Sequence, residues 1–408
     1  MKTRLVLALA TALASAACSS PDDASGDMHL ELVQAPTKVT PGAATPQSVL
    51  VKVVNGDGTS ISGVPVTWSV RSGGGHLTPS ADTSGVDGLA AAQWTPGLAT
   101  GSQAIGASIH DQPALTITVN ADAFRADKIA TAYRSGCGLK GSDVWCWDYS
   151  YGANASVLHV VPELQARDIE LSGSFLCVLE QAGSVHCQRA LGDPTLEPMG
   201  TVQGLPPLAA LSTGTSSGSF CGLAQADGTP WCWDRNTLTA SQRSATLSLT
   251  QMSGDAFRGC GLTSTGAAWC WGYVTSDPEL LPGGQLFREV SAGVWSGCAI
   301  KAPTELYCWD AGDPTPRNFG ISASQVAVGN SAQLINASLG ATEFYFWALN
   351  PPEYHLGDPF PLPVTQVSSQ DDTPCVIAYD AAVYCLGVND NVEQVYKTTW
   401  EAIPALQP

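Results

Sequence analysis

Twelve of the thirteen cysteines in this 408-residue chain fall into six pairs whose members stand 9 to 11 residues apart. They are Cys137 and Cys146, Cys177 and Cys187, Cys221 and Cys232, Cys260 and Cys270, Cys298 and Cys308, and Cys375 and Cys385. Zinc ligation wants cysteines two to four residues apart with a further Cys or His nearby, and no pair has that company. A disulfide needs two short strands joined by a turn, because opposed non-hydrogen-bonded residues of an antiparallel pair bring their Cα atoms to about 4.5 Å. Each pair is therefore read as a disulfide within its own hairpin, contributing on the order of 2.5 kcal/mol for a ten-residue loop. Other reactive residues do not assemble into a motif. His29, His76, His110, His159, His186 and His355 are scattered, with no His-Glu-x-x-His, phosphate-binding glycine loop or nucleophile elbow. Asn389-Asp390-Asn391 and Asp371-Asp372 lack the spaced ligands of a calcium loop and read as turns. No catalytic residue, metal or cofactor is expected.

The hairpins that would hold these cysteines repeat. The first cysteines are separated by steps of 40, 44, 39, 38 and 77 residues, and the double step predicts a copy without cysteines near residue 336. Asn336 and Phe346 stand ten apart there, as Cys298 and Cys308 do, with Trp347 in the place of Trp309. Seven copies of about 40 residues then fill residues 126–405. Each also carries an earlier strand ending in small residues, such as Glu289-Val290-Ser291-Ala292-Gly293 or Asp168-Ile169-Glu170-Leu171-Ser172-Gly173. Units of this size with several short strands suit propeller blades, which bury their apolar faces only by stacking around a ring. A partial eighth copy, Trp400-Glu401-Ala402-Ile403, predicts one blade completed by strands from both termini. Trp147, Trp233, Trp271, Trp309 and Trp347 recur at one repeat position and are read as packing between blades. Tyr149, Tyr151, Trp295 and Tyr354 lie outside that frame and are the candidate ligand contacts.

The pattern Cys260-Gly261-Leu262, Gly266, Cys270-Trp271-Gly272 resembles the repeats of the regulator-of-chromosome-condensation family, a seven-bladed propeller. The resemblance covers about two-thirds of the chain. It departs from the family after Cys-Trp, where the usual Asn and Gly-Gln-Leu-Gly tail is missing and only Gly272 and Gly387 keep the glycine. The family's nucleotide exchange on a nuclear GTPase, with chromatin docking, does not carry over to a chain with paired cysteines and a net charge of −18. That charge, from 18 Lys and Arg against 36 Asp and Glu, repels phosphate backbones, so no nucleic acid partner is expected.

Residues 1–18 read as an export signal: Lys2 and Arg4, then an apolar run too short to span a bilayer, then small residues. Ser15-Ala16-Ala17-Cys18 looks like a lipoprotein cleavage box, and Cys18 is the one cysteine left over from the pairs, so lipidation at Cys18 is expected; cleavage after Ala16 without lipid is the alternative. Residues 19–27 form a polar tether. Residues 28–123 change to longer strands, among them HLELVQ, SVLVKVV and ALTITVNA, with Val64, Val66, Trp68 and Val70 alternating as on a half-buried sheet and Asn55-Gly56-Asp57-Gly58 as a hairpin-type turn. The runs GVPVTWSVRSGGGHLTP and TSGVDGLAAAQW look like a bacterial immunoglobulin-like domain of the invasin and intimin type, which implies a spacer or adhesion module.

The fold class expected is thus all-β, an immunoglobulin-like β-sandwich followed by a seven-bladed β-propeller. The expected function is a non-enzymatic binding, adhesion or scaffold protein, held at the outer membrane or cell surface by its lipid alone. It would be a monomer, with propeller loops binding a protein or glycan. One alternative is a secreted inhibitor of an extracellular enzyme, because a β-lactamase-inhibiting protein resembles this propeller family. Another is a glycan-active enzyme, which would require acids clustered on inner strands around the central channel.

Overall fold

The computed structural model describes residues 28–405 apart from 43–44, 46, 111, 133–134, 149–155, 162–164, 174, 190–199, 215–218, 256–257, 273–274, 311, 330–331, 338–341, 347–359, 371–372 and 389–395. The described residues form strands and no helix, as the turn-rich composition of 41 Gly and 27 Pro favours. Residues 28–121 make two sheets, of four and five strands. The strands Val49–Val54 and Leu89–Pro96 of one sheet and Pro65–Ser72, Gly101–Ser108 and Leu115–Ala121 of the other share a single core. Alternation explains why: Val49, Val51 and Val53 on one sheet and Val66 and Trp68 on the other are buried, while intervening residues face out. The Asn55-Gly56-Asp57-Gly58 stretch does turn, with Gly58 N–H donating to Asn55 O at 2.9 Å. It is not a hairpin between the flanking strands, however. Val49–Val54 pairs with His29–Gln34 and Leu89–Pro96, and the chain crosses to the other sheet for Pro65–Ser72. The turn signal is met locally, by an antiparallel bridge of Val54 with Ser60 and by Ile61 N–H donating to Val53 O at 2.9 Å, before burial of the Val66 and Trp68 face takes the chain to the opposite sheet.

From Lys128 onward the sheets are small, antiparallel and built in chain order. The first is Lys128–Ala132, Ser135–Lys140, Asp143–Asp148, Ser156–Val161. Four-stranded sheets of the same order start at Ala166–Ser172, Leu208–Thr213, Gln251–Asp255 and Val364–Gln370. Between the last two lies a six-stranded sheet that starts at Glu289–Ala292. In it the 12-residue strand Arg317–Val328 pairs with Glu305–Asp310 through its first half and with Ala332–Ala337 through its second. The first strand of each sheet touches the first strand of the next; the second half of Arg317–Val328 takes its turn in that order, and Val364–Gln370 returns to Lys128–Ala132. The sheets therefore close into a ring with these inner strands at its axis.

The closure differs from the expectation. Tyr396–Ala402 completes the last sheet, so all four strands of that sheet come from the C-terminal end. The N-terminal side contributes only single bridges, Ala123 to Pro404 and Arg125 to Ala382. Residues 123–126 are committed to joining the sandwich, which leaves too little chain for a strand. The sandwich docks on the same sheet: Tyr384 Oη donates to Leu98 O at 2.6 Å, Thr100 Oγ1 to Asp380 Oδ2 at 2.6 Å, and Ala402 N–H to Pro41 O at 2.8 Å.

Candidate functional site

All six cysteine pairs are disulfides across register partners, with Cα–Cα distances of 4.0 or 4.1 Å. They join the second and third strands of their sheets. The tryptophan after the second cysteine is buried at Trp147, Trp233, Trp271 and Trp309. Three of these lie on a cross-strand glycine: a Cβ on Gly136, Gly259 or Gly297 would meet the ring at 2.4 to 2.5 Å. Trp233 faces Phe220 instead, ring centroids 6.3 Å apart, and its Nε1 donates to Cys187 Sγ of the preceding sheet at 3.4 Å. Trp147 shares a core with Cys375 and Cys385, and Trp309 with Cys260. Trp147, Trp233 and Trp309 thus pack on a neighbouring sheet's disulfide and Trp271 on Leu223 of the preceding sheet, in line with the expected packing between blades. The copy without cysteines is placed two residues away from its expected register. The inner residue opposite each first cysteine is Ser291 for Cys298 and Ala327 for Leu334, and Leu334 pairs with Phe344. Leu334 and Phe344, not Asn336 and Phe346, hold the disulfide position. The step from Cys298 to Leu334 is shorter than the others, and Trp347 lies outside the described residues.

At the axis, each inner strand is a sheet edge whose backbone N–H groups need partners. At four of them, side chains of the preceding inner strand supply partners. Asp168 Oδ2 accepts from Leu211 N–H at 2.8 Å, Gln251 Oε1 from Val290 at 3.2 Å and Glu289 Oε1 from Val326 at 2.9 Å. Gln366 completes the circle, accepting from Ile129 N–H and donating to Ile129 O, both at 3.0 Å. Two residues on, and so on the same face, Ser253 Oγ accepts from Ala292 N–H at 3.2 Å and Ser291 Oγ from Val328 N–H at 2.9 Å. A carboxylate or amide, one apolar residue, then a serine is the recurring signal, legible in Glu289-Val290-Ser291, Gln251-Met252-Ser253 and Gln366-Val367-Ser368.

These polar belts enclose an axial cavity of about 300 Å³. Glu170 occupies the serine position of its strand and lines the cavity. It makes no hydrogen bond among the described residues. Burial leaves its charge uncompensated and pushes its pKa up to about 8, with Lys128 opposing the rise and Asp168 and Asp255 adding to it. Lys128 pairs with Asp168 Oδ1; burial works against its ammonium, but Asp168 and Glu170 outweigh that and its pKa is raised. Burial also raises Glu289, against the Val326 N–H and Arg288. Acids thus do cluster on inner strands. At one end the axis is closed by Gln370, whose Nε2 donates to Thr213 Oγ1 at 2.8 Å and Gly254 O at 3.3 Å, both on the far side of the ring. Gln370 Oε1 and Ser369 Oγ are buried without a hydrogen-bond partner among the described residues.

The two ends of the ring differ. Residues 379–382 and Tyr384, which meet the sandwich, lie at the Lys128 end. Gln370 lies at the other end, and so does Trp295, which follows the Glu289–Ala292 strand and is 49% exposed. Of the four candidate ligand contacts only Trp295 is described; Tyr149, Tyr151 and Tyr354 lie outside the described residues, as do Cys18, the 1–27 leader and tether, and both candidate calcium turns. Among the described residues no group of three or more His, Cys, Asp or Glu is arranged for a metal ion, and no helix is long and apolar enough to cross a membrane.

Neither a protein-family profile nor a curated relative matches the chain. Solved structures do. Human WBSCR16 is 12% identical over 65% of this chain and 89% of its own, with a TM-score of 0.50. The ectodomain of the Physcomitrella patens receptor kinase CR4 is 19% identical over 64% of this chain and 73% of its own, at 0.47. Prp20p from Saccharomyces cerevisiae is 12% identical over 57% and 76%, at 0.45. The WBSCR16 likeness, at 12% identity, bears on fold alone; the closed ring of small antiparallel sheets is a β-propeller.

Proposed function

We propose that the chain is an exported, non-enzymatic binding protein of a bacterial cell envelope, with a seven-bladed propeller carried on an immunoglobulin-like sandwich. Seven blades follow when the six-stranded sheet counts as two, joined through Arg317–Val328. Two sheets around one core, with strands crossing between them, suit an immunoglobulin-like domain. The observation that carries the functional reading is the asymmetry of the ring. The sandwich occupies one end, and Trp295 stands half exposed at the other, where a protein or glycan ligand would meet it. Six disulfides support an oxidising compartment. The leader read in residues 1–18 and lipidation at Cys18 would hold the protein at the surface as a monomer, with the membrane touched by the lipid alone.

The test presents the disulfide-intact mature chain to a glycan array and to solubilised envelope fractions on a biosensor. Saturable binding is expected, weakened at least tenfold by Trp295→Ala and unchanged by Tyr379→Ala, a 67% exposed aromatic at the sandwich end. No saturable binder, or equal loss in both variants, would overturn the reading.

A further inference from the structure

We propose that the sandwich and the ring are latched into one rigid body, with Gln103 as the positioning residue of the latch. The free end of the ring is then held in a fixed relation to the N-terminal end of the sandwich, whatever that free end binds. Three observations carry this. First, the chain between the two domains is not a free linker. Phe124 N–H donates to Ile403 O at 2.8 Å, Ala126 N–H donates to Ala381 O at 3.0 Å, and Arg125 pairs with Asp122 at 2.7 Å. Domains move against each other when few contacts cross their boundary, and this boundary is bonded along its length. Second, residues 97–100 plug into the closing sheet with side chain and backbone together. Leu98 packs on the cluster that holds Phe360, Tyr384 and Trp400, with the Phe360 centroid 5.0 Å from Tyr384 and 5.1 Å from Trp400. Tyr384 Oη donates to the carbonyl of that same leucine. Thr100 Oγ1 donates to Asp380 Oδ2, and Asp380 is itself fixed because its Oδ1 accepts from Ala382 N–H at 3.1 Å.

Third, one buried amide fixes the plug from the sandwich side. Gln103 is 1% exposed; its Oε1 accepts from Gly97 N–H at 3.0 Å, and its Nε2 donates to Gly97 O at 3.0 Å and to Ala99 O at 2.6 Å. The neighbouring chain makes room for it: Gly73 has a φ of 86°, and a Cβ there would meet Gln103 Cγ at 2.4 Å. A connecting loop is ordinarily mobile. Here its backbone groups are satisfied in the one conformation that presents Leu98 and Thr100 to the ring. The two far ends are defined by the same geometry. Val49 pairs with Ala92 and His29 with Val54, so the first strand begins at the end of the sandwich away from residues 97–100. Trp295 stands at the end of the ring away from the sandwich.

The experiment is small-angle X-ray scattering on the disulfide-intact chain, with amide exchange as the second reading. The parent's curve is expected to fit one arrangement of sandwich and ring, with slow exchange at Ala402, whose N–H donates to Pro41 O across the joint. Gln103→Met keeps the length of the side chain and removes its three hydrogen bonds. It should give a curve that needs several arrangements, with a larger maximum dimension, and speed exchange about tenfold both at Gly97 and, across the joint, at Ala402. A purely local role would speed Gly97 alone. Leu98→Ala leaves Gln103 in place and should loosen the joint in the same way, so it decides the matter if Gln103→Met does not fold. Unchanged protection at Val51 and Ile300, one in each domain, shows that a variant is folded. A parent curve that needs several arrangements, unchanged Ala402 exchange in a folded Gln103→Met variant, or unchanged scattering in a folded Leu98→Ala variant would overturn the proposal.

Discussion

Replacing Glu170 with glutamine should change how the stability of the ring depends on pH. In the folded chain this carboxyl titrates at about 8, against an ordinary value of 4.5. Below 4.5 both folded and unfolded chains hold the proton. Between 4.5 and 8 the folded chain keeps a proton that the unfolded chain has released, so stability falls as pH rises. Above about 8 both have lost it and the dependence ends. One proton corresponds to about 1.4 kcal/mol for each pH step of one. From pH 5.5 to 7.5 the parent chain should therefore lose roughly 2.7 kcal/mol relative to Glu170→Gln, whose amide has no proton to release. Lys128, paired with Asp168, is common to both proteins. At about 1.7 °C per kcal/mol for a ring of about 280 residues, the gap between the two melting temperatures should change by about 4–5 °C. The assay is thermal unfolding followed by near-ultraviolet dichroism of the buried tryptophans, without reductant, at half-unit pH intervals. Parallel melting curves, separated by a constant offset, would refute the raised carboxyl and the charge reasoning built on it.

Three further outcomes follow from the packing. Gly297→Ala places a Cβ 2.5 Å from Trp309, so it should cost about 1–3 kcal/mol in thermal or denaturant melts. Gly312→Ala, which meets nothing within 4 Å, should cost far less. Replacing Cys298 and Cys308 together by alanine should cost about 2.5–3 kcal/mol in non-reducing denaturation, and full reduction of the parent should add twelve hydrogens to its intact mass, two for each of the six disulfides. Tyr384→Phe removes the 2.6 Å hydrogen bond to Leu98 O; it should cost about 1 kcal/mol and speed amide exchange in residues 97–101, with no change around Trp94.

The hairpins were legible in the sequence because their chemistry is local. Cysteines 9 to 11 residues apart can face each other only across one turn, and glycine opposite tryptophan is a cross-strand pair of the same kind. The copy without cysteines had no such marker, so its register slid from Leu334 and Phe344 to Asn336 and Phe346. The axial residues were visible as strands, but their role was not. Whether Asp168 or Gln251 meets water or a neighbour's N–H depends on which sheet edge lies beside it, and the ring decides that. Gln370 ends its strand like any polar residue, and only closure brings Thr213 and Gly254, more than 100 positions away, within its reach. The closing sheet was misjudged for a related reason: Trp400-Glu401-Ala402-Ile403 looks like the start of a repeat, but with Gly42 packed against Trp400 O it serves as the last strand of one.

The direct bond from Ala402 N–H to Pro41 O also sets how the molecule transmits tension. A pull on residue 28 reaches the sandwich first, and the sandwich grips the closing sheet at Pro41, Leu98 and Thr100. Traction therefore enters the ring through the side that Cys375 and Cys385 clamp, ahead of the short connector at residues 123–126. The connector is itself bonded to that sheet, Phe124 N–H to Ile403 O at 2.8 Å and Ala126 N–H to Ala381 O at 3.0 Å, before it enters the first inner strand, so load passing along the backbone is shared with the closing sheet.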